Sequence, residues 1–306
     1  MSVVFSLRAV FAAGILLGAP VAAQNPGAPA GSLLKEKEPP NDVEFVCPMD
    51  KDVRTKEPGR CPRCGMKLVP GIPDSSEYPV YLKLVPRVPR PDKPVRMTFR
   101  AVNPNTNATV RKFEIVHEKL FHLFLVSGDL SYFAHEHPTP LPDGTFVFDA
   151  KFPQAGPYRV VADFYPAGGT PQMSISTMYV AGQAAPKKPL AADLKAQTGE
   201  NLKVSLTTEP PQPLAGFKTL MFFQLEPAGS GPFELEPYIG AWGHMLAVSE
   251  DLVDMIHTHP FLADGGPKVQ FNMIFPREGI YRVWVQFQSK GQVNTVAFNI
   301  PVKALR

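Results

Sequence analysis

The chain has little charge and few cysteines. Of its 306 residues, 19% are charged, below the ~25% usual in globular proteins, and the net charge of +3 provides no basic surface for nucleic acid. After the N-terminus no segment reaches the ~18 apolar residues of a membrane span, and no helical hydrophobic stripe is evident. Motifs such as G-x-S-x-G and the P-loop are missing. A helical bundle, a nucleic-acid binder and an enzyme of a common class are therefore disfavoured.

Proline, by contrast, is abundant. The chain has 35 prolines, about twice the ~5% average, and proline disrupts helices and interior strands because it cannot donate a backbone hydrogen bond. From Tyr78 onward, short β-type runs separated by Pro, Gly and Asn form two series. This spacing predicts a mainly β fold, a small cysteine segment followed by two tandem immunoglobulin-like or cupredoxin-like β-sandwiches. Since the sandwiches contain no cysteine, a blue-copper His₂Cys centre is excluded there.

The N-terminus predicts export. Arg8 precedes an apolar run from Ala9 to Ala23 that ends in small residues, which is typical of a secretory signal peptide, here residues 1–23. We therefore expect a periplasmic or secreted protein with no membrane span after cleavage, an uncleaved anchor being the alternative. Residues 24–43 are rich in Pro, Gly and Ala and predict a flexible linker.

All three cysteines, Cys47, Cys61 and Cys64, fall within eighteen residues, and the last two form a C-x-x-C pair. An exported chain normally pairs an even number of cysteines as disulfides, so three suit a metal site better. Their thiolates would converge on one ion in a cysteine segment at residues 44–72, with Gly65 permitting the tight turn beyond. The alternatives are a Cys61–Cys64 or Cys47–Cys61 disulfide, or a decayed site that no longer binds metal.

Residues 45–70, FVCPMDKDVRTKEPGRCPRCGMKLVP, resemble the short heavy-metal-binding domain found beside copper/silver efflux adaptors and metal-pumping ATPases. The resemblance implies a bound transition metal, Zn²⁺ or Cu⁺/Cu²⁺, and a metal efflux or delivery protein as partner. This family has His-Pro after C-P-M, whereas this chain has Asp50 and Lys51. Asp50 or the thioethers of Met49 and Met66 would then complete the ligand shell.

The two β series are copies of one another. The segment from His122 through Pro138 aligns without gaps with the segment from His244 through Pro260, and the motif F-P-x-x-G-x-Y-R-V recurs downstream. We predict copy 1 at residues 76–182 and copy 2 at residues 197–306, joined by a linker at 183–196. The repeated tyrosines, Tyr158 and Tyr281, are assigned to tyrosine corners of the scaffold.

Six of the seven histidines belong to this repeat, with the spacing H-x12-H-x-H-P. If each hairpin turn is centred between residues 128 and 129, or at the equivalent place in copy 2, the first histidine faces the second directly and the third shares their face. We therefore predict two equivalent three-histidine metal sites at the open ends of the hairpins: His122, His135 and His137 in copy 1, and His244, His257 and His259 in copy 2.

Other residues near these histidines are not predicted to be principal metal ligands. Asp129 and Asp251 are expected to form the hairpin turns. His117 has Ile239 as its counterpart, so it is either incidental or a supplementary ligand of copy 1. The alternative for the histidines as a whole is a buried hydrogen-bonded network without metal.

Together the patterns predict an exported protein that captures, buffers or hands over Cu, Zn or Ag in metal homeostasis or resistance. One alternative is an enzyme in which a three-histidine metal activates water or a redox substrate. The other is a ligand-binding sandwich whose only metal lies in the cysteine segment.

Overall fold

A computed structural model describes residues 44–47, 53–71 and 76–305 of the chain, all within one unit, Val43–Arg306. The predicted signal peptide and the linker at 24–43 lie outside these ranges. Among the described residues the regular secondary structure is β-strand, which confirms the predicted fold class. No helix in this part of the chain is long and apolar enough to cross a membrane.

The cysteine segment contains a three-stranded antiparallel sheet in the order β2-β1-β3. Its strands are β1 (Glu44–Val46), β2 (Arg54–Thr55) and β3 (Val69–Gly71). Cys47, Cys61 and Leu68 form a small buried core beneath it. Cys47 and Cys61 are therefore both core residues of this segment and candidate metal ligands.

Copy 1 is a sandwich of two four-stranded antiparallel sheets, in the orders β4-β5-β9-β8 and β11-β10-β6-β7. This arrangement corresponds to the A-B-E-D and G-F-C-C′ sheets of immunoglobulin-like domains. The strands are β4 (Val80–Val85), β5 (Pro94–Ala101), β6 (Phe121–Ser127), β7 (Phe133–Glu136), β8 (Thr139–Pro140), β9 (Phe146–Lys151), β10 (Gly156–Phe164) and β11 (Gln172–Val180).

Copy 2 repeats this topology with one additional edge strand, β12. Its sheets have the orders β12-β13-β14-β18-β17 and β16-β15-β19-β20. The strands are β12 (Gln197–Thr198), β13 (Leu202–Glu209), β14 (Lys218–Pro227), β15 (His244–Ser249), β16 (Met255–Thr258), β17 (Pro260–Leu262), β18 (Lys268–Ile274), β19 (Gly279–Ser289) and β20 (Gln292–Val302). The duplication read from the sequence is therefore also a duplication of fold.

Each copy encloses its own hydrophobic core between its two sheets. In both, the tyrosine of the repeated motif secures the turn before its strand: Tyr158 Oη donates to the Gln154 carbonyl at 3.0 Å, and Tyr281 Oη lies 3.2 Å from the Arg277 carbonyl. The scaffold role predicted for the two tyrosines is thereby confirmed.

A third apolar cluster joins the two copies. Side chains alternate along a strand, so Leu123 and Leu125 of β6 enter the core of copy 1 while Phe124 and Val126 point away from it. These outward side chains pack with outward residues of copy 2, Leu246, Val248, Met255 and Trp284. The sheets containing β6 and β15 therefore meet through their outer faces, and positions 122 and 244 lie on those faces.

Candidate metal centres

The histidine hairpins have a different register from the predicted one. In copy 1, Phe124 pairs with His135 and Leu123 with Glu136, and in copy 2, Leu246 pairs with His257. The predicted direct pairing of His122 with His135 is wrong, because the true register is shifted by two residues. A shift of two keeps every side chain on its original face. The histidines of each hairpin therefore still share a face.

The shift arises in the turn. Ser127 N donates to the Tyr132 carbonyl at 3.1 Å, which makes the loop four residues long, and Leu130 has a φ of 62°. Asp129 stabilises this loop by accepting hydrogen bonds from Ser127 Oγ and Ser131 N. Asp251 accepts the equivalent bond from Ser249 Oγ at 2.6 Å. Both aspartates are turn formers, as expected.

All seven histidines gather between the two copies. We call them the histidine cluster: His117, His122, His135, His137, His244, His257 and His259. Ring centroids of His135 and His244, from different copies, are 5.2 Å apart, and those of His117 and His259 are 3.7 Å apart. The two predicted three-histidine sets therefore lie against each other, because the faces that carry the histidines are the faces on which the copies pack.

Within the cluster, two overlapping groups bring three ring nitrogens within 4.8 Å of one another. The copy-1 set is His122, His135 and His137; the cross-copy set is His135, His244 and His257. His122 Nδ1 lies 3.1 Å from His135 Nε2 and 3.2 Å from His137 Nε2. His259 belongs to neither set, although its Nε2 is buried without a hydrogen-bond partner among the described residues.

In four of the rings one nitrogen contacts an oxygen atom outside the cluster; we call it the outer nitrogen and the other ring nitrogen the inner one. His122 Nε2 contacts the Val116 carbonyl at 3.1 Å, and His244 Nε2 contacts the equivalent carbonyl of copy 2 at 2.9 Å, that of Tyr238. The other two contacts cross between the copies: His135 Nδ1 to Gln286 Oε1 at 2.8 Å, and His257 Nδ1 to Asp163 Oδ2 at 2.6 Å. Such outer partners fix the orientation of a ring, as they do for metal-ligating histidines.

Burial keeps five rings of the histidine cluster neutral at pH 7. It lowers the pKa of His122 to about 4 and the pKa values of His137 and His244 to about 3. The pKa values of His135 and His259 are held further below the ordinary value, also chiefly by burial. Neutral imidazole is the form that binds metal.

The cysteine segment brings its three sulfurs together. All three Sγ atoms lie within 4.8 Å of one another, and Cys47 Sγ is 3.4 Å from Cys64 Sγ. Thiolates 2.3 Å from a tetrahedral ion are about 3.8 Å apart, so this spacing fits a heavy-metal ion. Gly65 has a φ of 73°, and its N–H donates to the Cys61 carbonyl at 2.9 Å, which forms the predicted tight turn.

The remaining candidate ligands of this segment are less defined. Met49 and Asp50 lie outside the described residues. Met66 is half-buried, and its carbonyl accepts a hydrogen bond from Cys61 N at 2.8 Å. The segment is anchored on copy 1 by Lys56, whose ammonium contacts Glu114 Oε1 at 3.0 Å and lies 5.2 Å from the centre of the Tyr165 ring.

Several functional contacts have no counterpart in the sequence analysis. Asp163 and Gln286, which hold two of the rings, occupy equivalent positions five residues after Tyr158 and Tyr281. The available signal was a polar residue on the outer face of the strand, but Arg159 and Arg282 on the same faces give a similar signal. The backbone carbonyls that hold His122 and His244 carry no signal of their own in the sequence.

Fold and sites together define a tandem immunoglobulin-like sandwich protein with a cysteine segment of metal-binding type. The chain belongs to the family described as Domain of unknown function (DUF8832), which matches it twice, at residues 74–181 and 196–304. Residues 45–70 match the family described as Heavy metal binding domain. No curated protein sequence matches the chain.

Solved structures that match the chain include two bacterial adhesins and a segment of chicken tenascin. The Escherichia coli adhesin FdeC is 11% identical, with 79% of this chain and 71% of that chain covered and a TM-score of 0.26. The Yersinia pseudotuberculosis adhesin InvE is 10% identical, with 73% of this chain and 60% of that chain covered and a TM-score of 0.24. The two-domain fibronectin type III segment of chicken tenascin is 11% identical, with 74% of this chain and 99% of that chain covered and a TM-score of 0.22. Similarity at this level says nothing about function.

Proposed function

We propose that this protein is an exported transition-metal-binding protein that captures, buffers or hands over Cu, Zn or Ag in metal homeostasis or resistance. The observation that carries the proposal is the convergence of three cysteine sulfurs in the segment that matches the heavy-metal-binding family. Thiolates are soft ligands that favour Cu(I), Zn(II) and similar ions over Mg²⁺ or Ca²⁺. The apolar run at Ala9–Ala23 supports export.

The exposure of the three thiols supports transfer of the ion. Cys47 and Cys61 are buried, whereas Cys64 is exposed. A partner protein with its own thiolate can approach an ion from the Cys64 side and replace that ligand first, while the two buried sulfurs keep the ion in place. This asymmetry suits exchange with a metal efflux or delivery protein, the partner that the resemblance of the segment implies.

The test compares the full chain with the double variant Cys61→Ser/Cys64→Ser, using Lys67→Ala in the same segment as the matched control. Each protein is titrated with Zn(II) and with Cu(I) against a chelator of known affinity. The wild type and the control should bind an ion with thiolate-to-metal absorption and release protons, because thiols must ionise to bind. The double variant should lose that absorption. Equal thiolate absorption in all three proteins would overturn the proposal.

A further inference from the structure

We propose that the histidine cluster is one transition-metal centre built jointly by the two copies, which binds a single borderline divalent ion such as Cu(II) or Zn(II). Its nitrogen ligands come from both sides of the interface: His135 of copy 1 with His244 and His257 of copy 2, the cross-copy set. Imidazole is a suitable ligand for these ions. The inference does not depend on the cysteine segment, because the two sites share no ligand.

The first argument concerns where the ring protons lie in copy 2. A neutral imidazole has one N–H and one lone pair. His257 Nδ1 faces a carboxylate oxygen of Asp163 at 2.6 Å, and His244 Nε2 faces the Tyr238 carbonyl at 2.9 Å. Both oxygens only accept, so the outer nitrogen of each ring carries a proton. The inner nitrogens, His257 Nε2 and His244 Nδ1, are buried without a hydrogen-bond partner among the described residues.

The same argument applies to copy 1. His122 Nε2 donates to the Val116 carbonyl at 3.1 Å, and His135 Nδ1 donates to Gln286 Oε1 at 2.8 Å. Gln286 Nε2 in turn donates to Thr295 Oγ1 at 3.0 Å. The inner nitrogens of these two rings are 3.1 Å apart, and with both rings neutral no proton lies between them.

Two lone pairs at this distance repel each other in a purely hydrogen-bonded network. A cation among the inner nitrogens converts the repulsion into coordination. Nitrogen ligands about 2.0–2.1 Å from a tetrahedral ion are ~3.3 Å apart, close to the 3.1 and 3.2 Å separations around His122 Nδ1. In the cross-copy set, one ring nitrogen from each histidine lies within 4.8 Å of the others, so contraction around an ion would bring these nitrogens to that spacing.

The number of ions follows from His135, which belongs to both the copy-1 set and the cross-copy set. Its Nδ1 is occupied by Gln286, so only Nε2 is available, and one lone pair binds one ion. The two sets therefore compete for the same ligand. The cluster holds one ion on His135, where two independent sites would hold two.

The outer hydrogen bonds make the centre dependent on both copies. His135 is oriented by Gln286 of copy 2, and His257 is oriented by Asp163 of copy 1. The Asp163 carboxylate also supplies negative charge next to a divalent ion in a buried place, which reduces the free energy needed to desolvate that ion. Neither copy alone contains the complete ligand set with its supporting contacts.

The experiment uses the full chain with Cys47→Ser, Cys61→Ser and Cys64→Ser, so that any bound ion reports on histidines alone. Binding of Cu(II) and Zn(II) is measured by equilibrium dialysis with elemental analysis, and the number of coordinating nitrogens by electron paramagnetic resonance of the Cu(II) form. We expect one ion per chain. His135→Ala and His257→Ala, in different copies, should each weaken binding at least 100-fold and change the nitrogen hyperfine pattern.

His117→Ala is the matched control, because its ring packs in the cluster, 3.7 Å between centroids from His259, but belongs to neither set. It should keep the ion. Folding of each metal-free variant is checked by urea unfolding, and His135→Gln and His257→Gln replace any alanine variant that fails to fold. Two ions lost one at a time, or no ion bound by the cysteine-free chain, would overturn the inference. Neither result bears on the cysteine segment, whose test measures thiolate absorption.

Discussion

At the scale of single residues, the two tyrosine corners are equivalent in position but not in bonding. Tyr158 Oη has one neutral partner, the Gln154 carbonyl at 3.0 Å. Tyr281 Oη contacts the Asp254 carboxylate at 2.8 Å and accepts from Arg277 N at 3.2 Å. Burial raises the pKa of both phenols to about 12, so both are protonated donors at neutral pH.

This difference predicts unequal costs for removing each hydroxyl. Tyr158→Phe should lower the free energy of unfolding by about 1 kcal/mol, the usual value for a neutral hydrogen bond, and Tyr281→Phe by about 2 kcal/mol because its hydroxyl bonds to a charged carboxylate. Urea unfolding of the two variants beside the wild type measures both values. A larger loss for Tyr158→Phe would contradict the assignment.

The neutral histidines predict loss of stability in acid. In the metal-free protein the folded pKa of His122 is about 4 and that of His244 about 3, below the ~6.5 of an unfolded histidine. The unfolded state therefore binds more protons below pH 6.5, and the stabilising effect of neutral burial, complete above that pH, is lost as pH falls towards 4. The urea midpoint should fall steadily between pH 6.5 and 5.

The charged side chains that act on the rings of this cluster include Asp163, Glu118 and Lys119. The measurement is made with a chelator present, and a chain with His122→Gln should show a shallower dependence. A midpoint independent of pH between 6.5 and 5 would mean that the rings are solvated and able to protonate in the folded protein.

At the scale of elements, the turn of the cysteine segment can be tested with two glycines. Gly65 has a φ of 73° with open space around it, so Gly65→Ala adds backbone strain of about 1–2 kcal/mol without a clash. Gly59 also has open space but no positive φ, which makes Gly59→Ala the control. Gly65→Ala should weaken Zn(II) or Cu(I) binding about tenfold, as measured by chelator competition. Equal affinities for the two variants would show that the turn does not hold the thiols.

The hairpins show how far a sequence pattern determines an element. Alternation of side chains correctly places the three histidines of each copy on one face, because period 2 is a property of every strand. The register depends on loop length, which here is four residues and is set by the contacts of Asp129 and by Leu130 in a left-handed conformation. A non-glycine residue with positive φ is uncommon, so the shorter turn was the more natural expectation.

At the scale of the whole molecule, the two copies are related as the subunits of an isologous dimer. The contact of His135 with Gln286 is matched by the contact of His257 with Asp163 at equivalent positions of the repeat. Duplication and fold class could be predicted from repeated motifs and strand spacing. The packing of the two outer sheet faces against each other could not be predicted. Alternation shows which side chains point away from a core, but not which surface packs against them.

The last prediction concerns independence of the copies. Each has its own core, so pieces 76–184 and 185–305 should each fold, with lower stability than the intact chain because the outer faces with Phe124 and Trp284 become exposed. The pieces should associate when mixed, since the interface is preserved and only the covalent link is lost. Circular dichroism with urea unfolding tests folding, and sedimentation velocity tests association.

Trp284→Ala, which removes a ring stacked on Phe133 at 5.0 Å, should weaken association at least tenfold, while Lys290→Ala, outside the interface cluster, should not. Two unfolded pieces would mean that the copies form one cooperative unit and that the division between them is incorrect.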